Sequence, residues 1–228
     1  MILLFFSCSD YSVSQLCSVK SGGFDIEEVS ILQDAFGEPL LRDALIFEKE
    51  TDHLQAGEYW RPYSVEIMVM LPVWFFYEYD NSYSLEVEIW DGNNPNNSDP
   101  FVVQRDIIRE EEDWEYITLP ANAATASSLE QMRAWIYFDF SQIIPDTGFF
   151  DDTYIVGIKW SEQGVPAVGY SNYELPCDRN WTNRNDGNGW NLNSTIGFSS
   201  DCSWPMMKIS VEELVRNDEC VEEKYEIE

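Results

Sequence analysis

The sequence predicts an all-β fold, an antiparallel β-sandwich of jelly-roll type with at most one short helix. Three observations carry this. Apolar residues alternate with a period of two in five separate runs rich in β-branched and aromatic side chains. Turn chemistry punctuates the runs, at Asp91-Gly92, Asp146-Thr147-Gly148, Asp186-Gly187 and the prolines 62, 72, 95, 120, 145 and 166. No helical pattern alternates with the runs, which argues against a parallel sheet built from βαβ units.

Along the chain, "MILLFFSCSD" opens with an apolar run ending in Ser7-Cys8, too short to span a bilayer. It looks like the tail of a bacterial lipoprotein signal, in which Cys8 is the lipidated residue. Residues 1–8 are thus read as a signal remnant, 9–23 as a tether, 24–212 as one sandwich domain and 213–228 as an acidic tail. The five runs inside the domain are Val65, Ile67, Val69 and Leu71; Leu85, Val87 and Ile89; Ile136, Phe138 and Phe140; Tyr154, Val156, Ile158 and Trp160; and Met207, Ile209 and Val211. In each run the apolar side chains share one strand face. The one helical signal is Ser127-Ser128-Leu129-Glu130, a capping-box spacing ahead of Gln131-Met132-Arg133 that predicts a turn or two of helix.

The chain has 228 residues, 44% of them hydrophobic and 15% aromatic, enough for a sizeable core in a single domain. Its 13 Lys+Arg stand against 42 Asp+Glu, a net charge of −29. That balance argues against nucleic acid and against electrostatic docking on anionic lipid, leaving a lipid anchor as the route to a membrane. With Cys8 set aside, Cys17, Cys177, Cys202 and Cys220 form an even set that fits an oxidising compartment. Four cysteines allow three pairings. Cys177–Cys202 is the preferred bridge, because the Asn- and Gly-rich chain between them has little else to hold it. Cys17 and Cys220 complete the disulfide set.

From Tyr83 to Glu213 a series of motifs recurs in order: "LEVEIWDGNNP", "WEYITLP", "DDTYIVGIKW", "GVPAVGYSNY", "NDGNGWNLNS" and "CSWPMMKISVEE". This order resembles an accessory jelly-roll module of secreted and surface proteins of the Bacteroidetes type. The resemblance implies a β-sandwich with no catalytic signature of its own. It also implies a Trp in the Asn/Gly loop that folds back over the end of the sandwich.

For chemistry, His53 is the one histidine, in a polar segment, and no G-x-S-x-G elbow accompanies it. Glu86 and Glu88 point outward from one strand and offer a carboxylate pair of the kind a jelly-roll glycoside hydrolase uses. They do not match the Glu-x-Asp-x-x-Glu strand of such enzymes. Calcium takes six to eight oxygens from carboxylates and carbonyls. Asp146, Asp151 and Asp152 in "PDTGFFDDT", and the loop from Asp91 to Asp99, are the candidate calcium ligands. "PVWFFYEYD" places five aromatics at positions 74–79. Read as a strand, it sends Trp74 to one face and Tyr77 to the other, so one of them is left for a partner. Trp181 and Trp190, in the loop from Cys177 to Ser194, are either sandwich lids or ligand platforms. Trp74, Tyr77, Trp181 and Trp190 are therefore the candidate ligand-binding residues. The expected function is a non-catalytic, envelope-anchored or secreted module that binds glycan or surface protein. A carbohydrate-active hydrolase and a structural subunit of a surface assembly are the alternatives.

Overall fold

The computed structural model describes residues 11–21, 29–31, 42–48, 59–78, 83–119, 129–145, 153–160, 167–171, 175–183, 188–192, 201–202 and 205–216. The first half of the chain supplies β1 (Tyr11–Ser21), β2 (Val29–Ile31), β3 (Arg42–Glu48), β4 (Tyr59–Pro72), the helix α1 (Val73–Glu78), β5 (Tyr83–Asp91), β6 (Phe101–Ile107) and β7 (Glu115–Leu119). The second half supplies β8 (Leu129–Asp139), β9 (Thr153–Trp160), β10 (Ala167–Ser171), β11 (Leu175–Pro176), β12 (Asn180–Asn183), β13 (Asn191–Leu192), β14 (Asp201–Cys202) and β15 (Met207–Arg216).

The fold is all-β, and every strand pairing among the described residues is antiparallel. One sheet runs β1-β15-β4-β8-β7, with β10 and β2 continuing it beside the far half of β4. The other runs β13-β12-β3-β9-β5-β6. The order β1-β15-β4-β8 facing β3-β9-β5-β6 is that of a jelly roll. All five alternating runs of the sequence lie in or directly beside strands, namely β4, β5, β8, β9 and β15.

The alternation explains the sandwich. Val65, Ile67 and Val69 of β4, Ala134, Ile136 and Phe138 of β8, and Met207, Ile209 and Val211 of β15 face inward from the first sheet. Leu45 and Phe47 of β3, Leu85, Val87 and Ile89 of β5, and Tyr154, Val156 and Ile158 of β9 meet them from the second. Phe47 and Tyr154 stack at 5.2 Å. Each fully buried Val, Leu, Ile or Phe is worth about 1.5–3 kcal/mol of transfer free energy, and shared burial is what specifies the register.

Four segments differ from the expectation. The stretch read as a tether contains β1, whose backbone pairs with β15 from Tyr11↔Arg216 to Ser21↔Met207. β15 itself runs to Arg216, past the expected end of the domain at Glu212. Without β1, β15 would present an open row of backbone donors and acceptors along one edge, and that row is what draws the segment in. The capping-box signal also fails, because Leu129–Asp139 is strand β8, laddered to β4 on one side and β7 on the other. A one-turn helix gains little against its nucleation cost, whereas two ladders satisfy the backbone on both edges.

The aromatic run after Pro72 is helical, not extended. Pro72 pairs with Gln131 at the last rung of the β4–β8 ladder, two residues from the start of β8. A strand continuing past that point would run out of partners, whereas a helix closes its hydrogen bonds within itself.

Candidate functional site

Trp190, in the Asn-, Gly- and Trp-rich segment, lies against the outer face of the second sheet. Alternation along β3, β5 and β9 sends Ala44, Trp90 and Ile155 to that face, where they form a second apolar cluster with Trp190. The Trp190 and Trp90 rings meet edge to face at 5.3 Å. Gly157 makes the seat, since a Cβ there would stand 2.8 Å from Trp90 Cζ3 and 3.3 Å from the Ala44 Cβ. Asn96, from the turn after β5, pins the loop. Trp190 N–H donates to Asn96 Oδ1 at 2.9 Å, and Asn96 Nδ2 donates to the Trp190 carbonyl at 3.0 Å. Gly189 between them holds φ at +73°, a conformation that L side chains resist. Trp190 is 7% exposed and has the lid arrangement, so its ring faces are taken up by packing. Trp181, paired in register with Ala44 and Leu192, packs half-buried against the same cluster.

α1 has the opposite character. Residues three apart on a helix share a face, so Trp74 and Tyr77 project together, 60% and 69% exposed. The ring between them is turned inward. Phe76 meets Trp114 at 5.3 Å, and Trp114 in turn packs on the inter-sheet core. Arg109 closes the other side: its Nη1 donates to the Phe76 carbonyl at 2.9 Å, and its guanidinium lies 5.5 Å from the Phe76 ring centroid. Phe76 and Tyr77 also contact each other edge to face at 5.3 Å. Tyr116, on the edge strand that starts beside Trp114, adds a further exposed ring.

Between Arg109 and Trp114 runs the acidic turn Glu110-Glu111-Glu112-Asp113. It is closed by Glu111 N–H donating to the Ile108 carbonyl and by Trp114 N–H donating to the Glu112 carbonyl. Glu110, Glu111 and Asp113 are exposed. A backbone hydrogen bond holds the Glu110 carboxyl below the usual range, and Arg109 adds to the effect at 3.0 Å. Glu112 is turned inward onto Arg105, and there burial pushes its carboxyl up more than the guanidinium pulls it down.

The carboxylates weighed for hydrolysis sit differently. Glu86 and Glu88 do share the outward side of β5. Glu86, however, accepts from Lys159 Nζ at 2.8 Å, and Glu88 is 4% exposed, so they do not face solvent as a pair. Among the described residues no group of three or more His, Cys, Asp or Glu side chains is placed to hold a metal ion. Asp146, Asp151 and Asp152 lie outside the described residues, as do His53, Cys8 and Cys220. The turn from Asp91 to Asp99 is described, and its amides are used locally: Asn94 Oδ1 accepts from the Asn96 N–H, and Asn96 holds Trp190. For the preferred bridge, the backbone pairing Leu175↔Cys202 brings the segments carrying Cys177 and Cys202 side by side. Cys17 stands opposite Val211 in the β1–β15 register.

Sequence reasoning missed Gly157, Asn96, Arg109 and Trp114, the residues that decide which aromatic is buried. Gly157 did carry a signal, since a lone Gly inside an alternating strand marks a close approach. No family model, curated protein or solved structure matches this chain.

Proposed function

We propose that the domain is a non-catalytic binding module, anchored to the cell envelope through Cys8, that attaches to a glycan or a surface protein through α1. One observation carries the reading. Trp74 and Tyr77 stand exposed on one face of a helix whose third ring, Phe76, is fixed from below by Trp114 and Arg109. Large rings held on a fixed backbone lose little conformational entropy on binding, and Trp and Tyr dominate contact energies where they meet a partner.

The test is the double substitution Trp74→Ala/Tyr77→Ala, screened on a glycan array and against purified surface proteins beside the parent. The expected result is an unchanged melting curve with binding lost. Undiminished binding to whatever the parent recognises would remove the assignment of α1. The anchor has its own test: Cys8→Ala, expressed with the complete upstream signal, moves the protein from the membrane fraction to the soluble one. Unaltered membrane association would overturn it.

A further inference from the structure

We infer that the partner of the Trp74/Tyr77 face is a cationic protein segment, one presenting Lys or Arg side chains, and not a neutral glycan. The inference rests on the binding reading above and names the partner class for that same face.

The argument begins with what borders the rings. Arg109 and Trp114 both touch Phe76, so the turn between them is held against α1 at both ends. That turn consists of four consecutive acids, of which Glu110, Glu111 and Asp113 are exposed. A single guanidinium joins the two features, with Arg109 donating to the Phe76 carbonyl through Nη1 and to Glu110 through Nη2. The helix that carries the exposed indole and phenol is therefore bordered, on its Phe76 side, by exposed carboxylates, of which Glu110 is held below the ordinary glutamate range.

Rings beside carboxylates favour a cation on two counts. The ring face attracts positive charge through its quadrupole, and the carboxylates supply the counter-ion. The protein uses the same chemistry internally, since Lys208 Nζ lies 3.8 Å from the Trp135 ring centroid and is paired with Glu66 at 3.4 Å. A neutral sugar would use the rings but not the acids. The long-range field agrees: with a net charge of −29, cationic partners are steered in and polyanions are repelled.

The experiment measures fluorescence anisotropy of two labelled dodecapeptides at low and physiological salt. One carries spaced Lys and Arg residues, and the other has Glu in their place. Neutral oligosaccharides are tested in parallel. Any polycation is drawn to so acidic a protein, so the decisive comparison is between two charge-matched variants. Glu111→Gln/Asp113→Asn removes two acids beside α1, and Asp99→Asn/Asp178→Asn removes two exposed acids elsewhere. We expect the basic peptide alone to bind. Trp74→Ala should weaken it roughly tenfold, as an aromatic anchor does. Glu111→Gln/Asp113→Asn should weaken it about fivefold, as two exposed ion pairs do, and the distant pair less than about twofold. Equal weakening by both charge variants would show diffuse attraction and overturn the inference. Trp74-dependent binding of an oligosaccharide without binding of the basic peptide would overturn the partner class and leave the binding reading standing. If no probe depends on Trp74, both fall.

Discussion

Two stretches of this chain concentrate aromatic residues outside the main core, and the fold treats them in opposite ways. Around Trp190 a loop rich in Asn and Gly is folded down until its indole is a lid on the second sheet. On α1 a run of consecutive aromatics is wound so that Trp74 and Tyr77 stand exposed and Phe76 is half-buried against Trp114. The difference lies in the receiving surface, not in the rings. The missing Cβ at Gly157 lets the Trp90 ring lie down beside Ala44, the Trp190 indole packs edge to face on that ring, and Asn96 ties the backbone down over it. At α1 the available space between Arg109 and Trp114 accepts one ring, Phe76, and the helical period places Trp74 and Tyr77 away from it. Aromatic density in a sequence is thus no guide to exposure until the seat is known.

The sharpest test of that contrast is a pair of alanine substitutions. Trp190→Ala should cost about 3–5 kcal/mol in urea unfolding, because it empties a packed site. Trp74→Ala should cost less than about 0.5 kcal/mol, as an exposed position does. Similar costs at the two sites would erase the distinction.

Filling the seat is the next test. Gly157→Val places a Cβ 2.8 Å from Trp90 and should destabilise by about 1–3 kcal/mol, with a changed near-ultraviolet circular dichroism as the indoles shift. Removing the tie comes third. Asn96→Ala deletes both hydrogen bonds to Trp190 and should cost about 1–2 kcal/mol, read as a lowered denaturant midpoint with an unchanged slope.

The smallest effect belongs to the turn under α1. Carbon-detected NMR titration should find Glu110 ionising below the ordinary glutamate range and Glu112 above it. The signs then oppose each other. Glu110, lowered in the folded state, contributes stability that is present above the unfolded value and is lost as pH falls through the folded one. Glu112, raised in the folded state, contributes stability that is present below the unfolded value and is lost as pH rises through the folded one. The two carboxyls therefore push the pH dependence of stability in opposite directions.

The places where the sequence misleads are instructive. Its local signals put a helix at 127–133 and a strand at 73–79, whereas residues 129–133 are strand and 73–78 are helix. The capping-box spacing is a property of a few neighbouring residues, but β8 is decided by β4 and β7 on its two edges, far away in the chain. Aromatic residues favour strands only where a pleated surface receives them, and β8 has just two residues beyond the Pro72–Gln131 rung. For the site, Trp74 and Tyr77 were visible as candidates because five rings in six positions exceed what one face can bury. Their shared face was not visible, since it depends on the helical period.

What the sequence determines by itself is the class of the fold and its core. Period-two alternation selects antiparallel strands whatever their partners are, because a half-buried strand needs one apolar side. It also determines the acidity of the protein, a net charge of −29. Tertiary structure alone decides which rings are lids and which are left exposed. That choice depends on volumes and hydrogen bonds supplied from distant strands: a missing Cβ at Gly157, an amide at Asn96 and a guanidinium at Arg109. Each acts on a ring far away along the chain, and of the three only Gly157 leaves a local mark, as a lone Gly inside an alternating strand.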